Sequence, residues 1–324
     1  MVSMIVMNNS NKKVSSDFRA MGTDVSVEII CEGTKSPIGD LVPNAQDALE
    51  KVQEIFSENE NIFSRFNPDS ELSRINNNLG KEISVSKKML EVLELCLKFN
   101  RISEGYFDPR VIETLEKIGY DKDFKTNDLN REIFEEIKLE KVSGDLQDDL
   151  IVNAAAKTVI IKKRIDTTGI AKGHTVDEAA QFLKKEGFNN FVVDAGGDMF
   201  AEGLDENGRQ WTIGVEGAPD DKIILKLNNE GIATSGISRK RWVQGDKKFH
   251  HLVNPKDPEN FSFEIKTVTV IEDKTVEADG RAKVLVLMGR QAGLEFANKN
   301  NIKALFLDYK GNIYISNEIK KNIL

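Results

Sequence analysis

The chain has 324 residues, 40% of them hydrophobic and 30% charged, with a formal net charge of −8. That length can bury a sizeable core, and the composition is that of a globular protein rather than a disordered or fibrous one. The acidic balance argues against nonspecific nucleic-acid binding, which needs clustered Lys and Arg, but leaves room for a phosphate held in a local pocket. The two cysteines, Cys31 and Cys96, lie far apart, so neither a disulfide framework nor a CxxC metal pair is expected. No stretch reaches the ~18 apolar residues that a membrane-spanning helix needs. The apolar start from Met1 to Met7 is short and lacks a basic flank, and no lipidation cysteine follows it. A cytoplasmic location without a membrane span is the expectation.

Residues 1–17 read as a flexible tail. Met21 to Cys31 alternates and predicts a strand. Leu49, Val52, Ile55, Phe56, Ile62 and Phe63 form one apolar stripe at helical spacing between Asn44 and Phe63. The run Asn67-Pro68-Asp69-Ser70 breaks that helix with turn residues. Ser86 is a natural N-cap for a second helix through Ile102, ended near Gly105, in which Cys96 reads as a small buried apolar residue. Asp121 to Asp149 is polar and charged and reads as a surface insertion. Val152 to Lys162 has strand character, and Thr175 to Lys185 is helical with a stop at Gly187. Phe191 to Asp194 predicts a buried strand running into Gly196-Gly197. Trp211 to Asp273 is rich in alternation, 275–299 reads as one helix, and Ala304 to Ile315 as a hairpin turning at Lys310-Gly311. Helices and strands interleave irregularly without an internal repeat. The fold class is therefore α+β, one compact unit over 18–324 with mixed or antiparallel sheets and flanking helices.

Several short segments could carry chemistry. Ile165 to Gly173 holds Asp166, Gly169 and Lys172 on a path from strand through turn into helix. Glycines there admit a ligand, a helix N-terminus favours an anion, and Lys172 adds a point charge. The spacing is not that of a Walker loop, and taken alone the segment reads first as a structural turn. Asp194-Ala195-Gly196-Gly197-Asp198 is equally a tight turn between strands when read alone. Phe249-His250-His251-Leu252 contains two of the chain's three histidines. Neighbours on a strand point to opposite faces, so one of the pair can be buried while the other faces a site and serves as a base. Asp279 and Lys283 stand at i and i+4 on a helix, either as a surface ion pair or as part of a phosphate or metal site. Arg65, Phe66, Tyr106 and Phe107 read individually as core.

The order of these segments resembles the FAD:protein FMN transferase (ApbE) family. The likeness rests on Met21-Gly22-Thr23, the stretch Phe63 to Asn76, Gly105 to Pro109, Asp166 to Asp177, Gly196-Gly197-Asp198, Ala233 to Gly236, His251 to Pro255, and Ala278-Asp279 followed by Leu287-Met288-Gly289. It implies that FMN is moved from FAD to a Thr or Ser hydroxyl of an acceptor flavoprotein, with release of AMP. FAD pyrophosphatase activity, or FAD binding with impaired catalysis, are the rival readings. By the same resemblance, Met21, Phe66, Tyr106, Phe107, Asp108, Asp166, Lys172 and Leu252 would contact FAD. His251 would be the catalytic base. Gly169, Asp279 and Lys283 would form the Mg²⁺ site. Three positions depart from the family pattern: Lys283 replaces a metal-binding Thr, Asn254 an Asp, and Phe66 a Tyr. No acceptor motif of the family's kind occurs in the chain itself.

Overall fold

The computed structural model describes residues 12–31, 44–121, 138–215, 217–218, 223–238, 240–244 and 246–324. The chain opens with a hairpin of β1 (Lys12–Ala20) and β2 (Thr23–Cys31). Helix α1 (Ala45–Phe63) follows, capped by the Asn44 side chain, which accepts from the Gln46 N–H. A mixed segment comes next: α2 (Glu71–Asn76), β3 (Ile83–Ser84), α3 (Lys87–Ile102), α4 (Ile112–Lys117), α5 (Leu146–Asp149), β4 (Leu150–Asn153) and β5 (Thr158–Ile161). Helix α6 (Thr168–Lys185) leads into β6 (Phe191–Ala195), β7 (Asp198–Glu202), β8 (Trp211–Gly214), β9 (Ile224–Leu227) and β10 (Glu230–Gly236). A ribbon of β11 (Arg241–Gln244) and β12 (Lys247–His250) precedes β13 (Ile265–Glu272). The chain closes with α7 (Thr275–Met288), α8 (Arg290–Lys299), β14 (Lys303–Asp308) and β15 (Ile313–Ile315).

Eight strands make one sheet in the order β1-β2-β6-β7-β10-β13-β14-β15, antiparallel at every step. The expected α+β class with antiparallel sheets and flanking helices is what the chain forms. Alternation on β2 puts Val25, Val27 and Ile29 against Leu49, Val52 and Phe56 of α1 and Val176, Ala180 and Leu183 of α6. Ile30, on the other face, joins Trp211, Leu225 and Leu227 of the β8–β9 ribbon. β13 is covered on both faces, by Ala278, Ala282 and Leu285 of α7 and by that ribbon. It therefore reads as an almost continuous apolar run. Two further clusters flank one end of the sheet. Met89, Leu93 and Phe99 of α3 pack with Val159, Ile161 and Ile170. Trp242 and Phe249 of the β11–β12 ribbon pack with Leu115 and Tyr120. Among the described residues, no helix is long and apolar enough to cross a membrane.

Several local expectations are corrected. Residues 12–17, expected in a flexible tail, pair with β2 as the outer part of β1, because their partners extend to Cys31; residues 1–11 lie outside the described set. Helix α6 begins at Thr168, not Thr175: Thr168 donates both its N–H and its hydroxyl to Asp166 Oδ1, a cap local to the motif. The stretch 275–299 is two helices, broken at Gly289 with φ 79°. Val152 to Lys162 is part of a hairpin. Of the expected surface insertion, 122–137 lies outside the described residues, while Leu139 and Leu146 are buried.

Two glycines bring the site's elements together. A Cβ on Gly173 would stand 2.8 Å from Val276 Cα, so α6 and α7 cross closely only with glycine there. Gly196 and Gly197, at φ 64° and 95°, form the two-residue turn between β6 and β7. A Cβ on Gly196 would meet Thr23 Oγ1 at 2.0 Å, so this turn also fixes the approach of the β1–β2 hairpin.

Candidate active site

One cavity of about 640 Å³ opens where α6, α7, the Gly196 turn, the Gly105–Asp108 loop and the β11–β12 ribbon converge. Its size suits a small-molecule site. Met21, Phe66, Tyr106, Phe107, Asp108, Asp166, Gly169, Lys172, His251, Leu252, Asp279 and Lys283 all line it. The structure thus brings together every site residue named from sequence. A second cavity of about 750 Å³ lies toward the β8–β9 ribbon, and Asp17, Asp24 and Asp194 are the charged residues on its described wall. No cation is among them, whereas Lys172, Lys240 and Lys283 line the first cavity, which therefore suits an anionic ligand better.

Part of the cavity wall is apolar. Phe107 is buried against Phe99, with ring centroids 6.0 Å apart. Phe66 meets the Tyr120 ring edge-on at 5.8 Å, and Leu252, also on the cavity wall, is buried. The Tyr106 ring faces the Lys256 ammonium at 4.3 Å. Met21, at φ 52° in the β1–β2 turn, packs against two core clusters. These surfaces could stack a flat ring.

Two of the named carboxylates are committed to the wall itself. Asp166 Oδ1 caps α6, while its Oδ2 lies 3.1 Å from Arg65 Nε, off the line of a hydrogen bond, so charge holds that contact. Arg65 also donates to the Tyr120 carbonyl at 2.6 Å and lies over the Phe66 ring at 4.2 Å. Asp108 is forked by Arg110 at 2.7 and 3.0 Å and caps the following turn. Both orient elements of the wall, and both line the cavity.

Charged residues also line it. Lys172 Nζ sits 2.6 Å from Asp198 Oδ2 and donates to the Ala195 carbonyl at 3.3 Å. Burial alone would lower the Lys172 pKa, but Asp198 and Asp279 outweigh it and hold it above the ordinary lysine value. Lys283 pairs with Asp279 Oδ1 one helical turn away. Burial, then the nearby Asp198, push the Asp279 carboxyl up to about 6, against the pull of Lys283 and Lys172. Two ammonium groups and two buried carboxylates therefore share this end.

The adjacent histidines separate as strand alternation predicts. His250 is buried between Phe261 and Phe263, with Nε2 3.2 Å from the Ser262 carbonyl. Burial lowers its pKa to about 4. His251, just past β12, faces the cavity. Its Nδ1 lies 3.3 Å from the Lys240 carbonyl. A carbonyl only accepts, so Nδ1 carries the proton and Nε2 keeps its lone pair. Burial, then the Lys240 charge, hold this ring well below the usual histidine value. A neutral imidazole with a free Nε2 can take a proton.

The Mg²⁺ implied by the resemblance does not fit the donors present. Lys283 takes Asp279 Oδ1, Lys172 takes Asp198, and an ammonium has no lone pair to give a metal. Among the described residues, no group of three His, Cys, Asp or Glu is placed to hold a metal ion.

The description "ApbE family" fits residues 21–306 of the chain. The chain belongs to the ApbE family. It is 25% identical over 327 residues to the FAD:protein FMN transferase of Haemophilus influenzae, covering 97% of this chain and 92% of that one. It is 29% identical over 269 residues to that of Chlamydia muridarum, covering 81% and 83%. The apo crystal structure of the Pseudomonas stutzeri flavinyl transferase ApbE superposes with a TM-score of 0.82, at 21% identity and 98% coverage of both chains. At that identity the superposition speaks for the ApbE fold alone.

Some residues that line the cavity or brace its wall were not named as site residues from sequence. Arg65, which braces the wall, reads as core until its ion pair with Asp166 is seen. Thr234 and Ser235 line the cavity from within the Ala233–Gly236 stretch, to which no role was assigned. Tyr120, whose carbonyl and ring hold Arg65, lies beyond every motif and gave no sequence signal.

Proposed function

We infer that this chain is an FAD:protein FMN transferase, acting as one unit from β1 to the C-terminal residues. The observation that carries the reading is one cavity lined together by Met21, Phe66, Tyr106, Phe107 and Leu252, by Lys172 and Lys283, and by a neutral His251. The flavin ring would stack among Met21, Phe66, Tyr106, Phe107 and Leu252. The pyrophosphate would lie toward Lys172 and Lys283. An acceptor Thr or Ser hydroxyl gives its proton to His251 Nε2 as its oxygen attacks the FMN-side phosphorus. A new phosphorus–oxygen bond forms, the bond to the AMP oxygen breaks, and AMP leaves with that electron pair. Positioning and charge neutralisation supply most of the catalysis in such a transfer. His251, once protonated, can return the proton to solvent or to the leaving phosphate.

The test is to incubate the protein with FAD and a peptide bearing a family-type Thr acceptor, then read peptide mass and free AMP. A transferase yields flavinylated peptide and AMP in equal amounts. AMP without modified peptide would instead make it a pyrophosphatase, and neither product would make it a binding protein.

A further inference from the structure

The Lys283 side chain is placed with care. Its stem runs past Gly169, where a Cβ would stand 3.5 Å from Lys283 Cδ and Cε and 3.0 Å from the Phe107 ring. The tight contact there is with Phe107, while the lysine stem lies beside Gly169 at ordinary packing distance. The Lys283 side chain is 17% exposed and its ammonium is seated on Asp279, whose side chain is 1% exposed. Asp279 Oδ2 has no hydrogen-bond partner among the described residues, so the carboxylate depends on nearby positive charge. Lys172 and Asp198 repeat the arrangement from α6 and β7. The four groups balance one another before any ligand enters. A dianionic pyrophosphate would find two cations in place, and a divalent ion would have to displace Lys283 while facing Lys172.

We propose that Lys283 is the resident cation of this site: its ammonium, anchored on Asp279 with its stem beside Gly169, neutralises the FAD pyrophosphate, so FAD binds without a divalent metal ion. This rests on the flavin-transferase reading above. Lys283 touches substrate in this role, and Gly169 is a neighbour of its stem rather than a metal ligand.

The experiment measures FAD affinity by flavin fluorescence for the full chain in EDTA and in millimolar Mg²⁺, for the unmutated protein, Lys283→Met and Lys283→Thr, with thermal melts as the folding check. The unmutated protein should bind FAD equally in both conditions, within about twofold. Lys283→Met should bind about tenfold or more weakly in both, a size typical of one coupled charge. Lys283→Thr should be weak in EDTA and recover about tenfold with Mg²⁺. A roughly tenfold Mg²⁺ dependence in the unmutated protein overturns the proposal, and that comparison needs no variant to fold. Unchanged affinity in a folded Lys283→Met overturns it as well. The acceptor-peptide assay run alongside separates the two claims. FAD binding in EDTA with no peptide adduct upholds Lys283 and removes the transferase reading, whereas no FAD binding in either condition removes both.

Discussion

Replacing Arg65 with Leu tests how the cavity is held in shape. The Arg65 side chain is 2% exposed and its partner Asp166 5% exposed. Removing the guanidinium strands a buried carboxylate whose other oxygen must still cap α6, and it also takes a donor from the Tyr120 carbonyl. Breaking a buried pair from one side costs about 3–5 kcal/mol, because the remaining charge is left uncompensated. For a chain of this size, that is a fall in Tm of very roughly 10 °C. Asp166→Asn removes the charge instead, and the double variant leaves neither charge buried. The double variant should therefore be more stable than the two single losses added together, by about 1–3 kcal/mol. Thermal melts and urea titrations of the four proteins give the cycle. FAD affinity should fall with Arg65→Leu too, because the start of α6 carries Gly169 and Lys172. An Arg65→Leu protein melting within about 2 °C of the unmutated one, or strictly additive losses, would show that this pair does not hold the wall.

Other expectations concern single positions. His251→Ala should cut FMN transfer by about 10²–10⁴-fold, the usual contribution of a general base, while FAD affinity changes less than about threefold; equal losses in both would make His251 a binding residue. His250 has its folded pKa depressed from 6.5 to about 4, so its neutral burial stabilises fully above pH 6.5 and is lost as pH falls toward 4. Urea denaturation near pH 7 and near pH 4.5 should show the unmutated protein losing about 2–3 kcal/mol more than His250→Gln, and parallel losses would refute this. Gly196→Ala forces a Cβ into Thr23 Oγ1 at a left-handed backbone position. It should cost about 2 kcal/mol or more by denaturant titration, and a neutral effect would mean the β1–β2 turn yields freely.

Much of this site could be read from residues, and the limits have physical causes. The α1 stripe, the Ser86 cap and the Lys310-Gly311 hairpin are local features, written in neighbouring side chains, and they stand where the pattern puts them. Strand alternation likewise separated His250 from His251. The start of α6 was missed because Asp166 caps it through Thr168 rather than through a serine-type box before an apolar stripe. β1 was missed because on this edge strand the inward face is marked only by Val14, Phe18 and Ala20, with Ser16 interrupting the apolar alternation and the other face polar and exposed. Tyr120 and Arg65 act through contacts across more than fifty residues, which no local window contains. Lys283 was visible as a departure from the family pattern, but its stem lying beside Gly169 is a fact of packing between two helices.

The transferase reading is tested most directly by mass spectrometry of a Thr-bearing acceptor peptide after incubation with the protein and FAD in EDTA. A transferase that uses Lys283 in place of a metal gives a peptide carrying FMN through a phosphoester to the threonine, with one AMP released per adduct, and replacing that threonine by valine abolishes both. Free AMP accumulating with the peptide mass unchanged would contradict it.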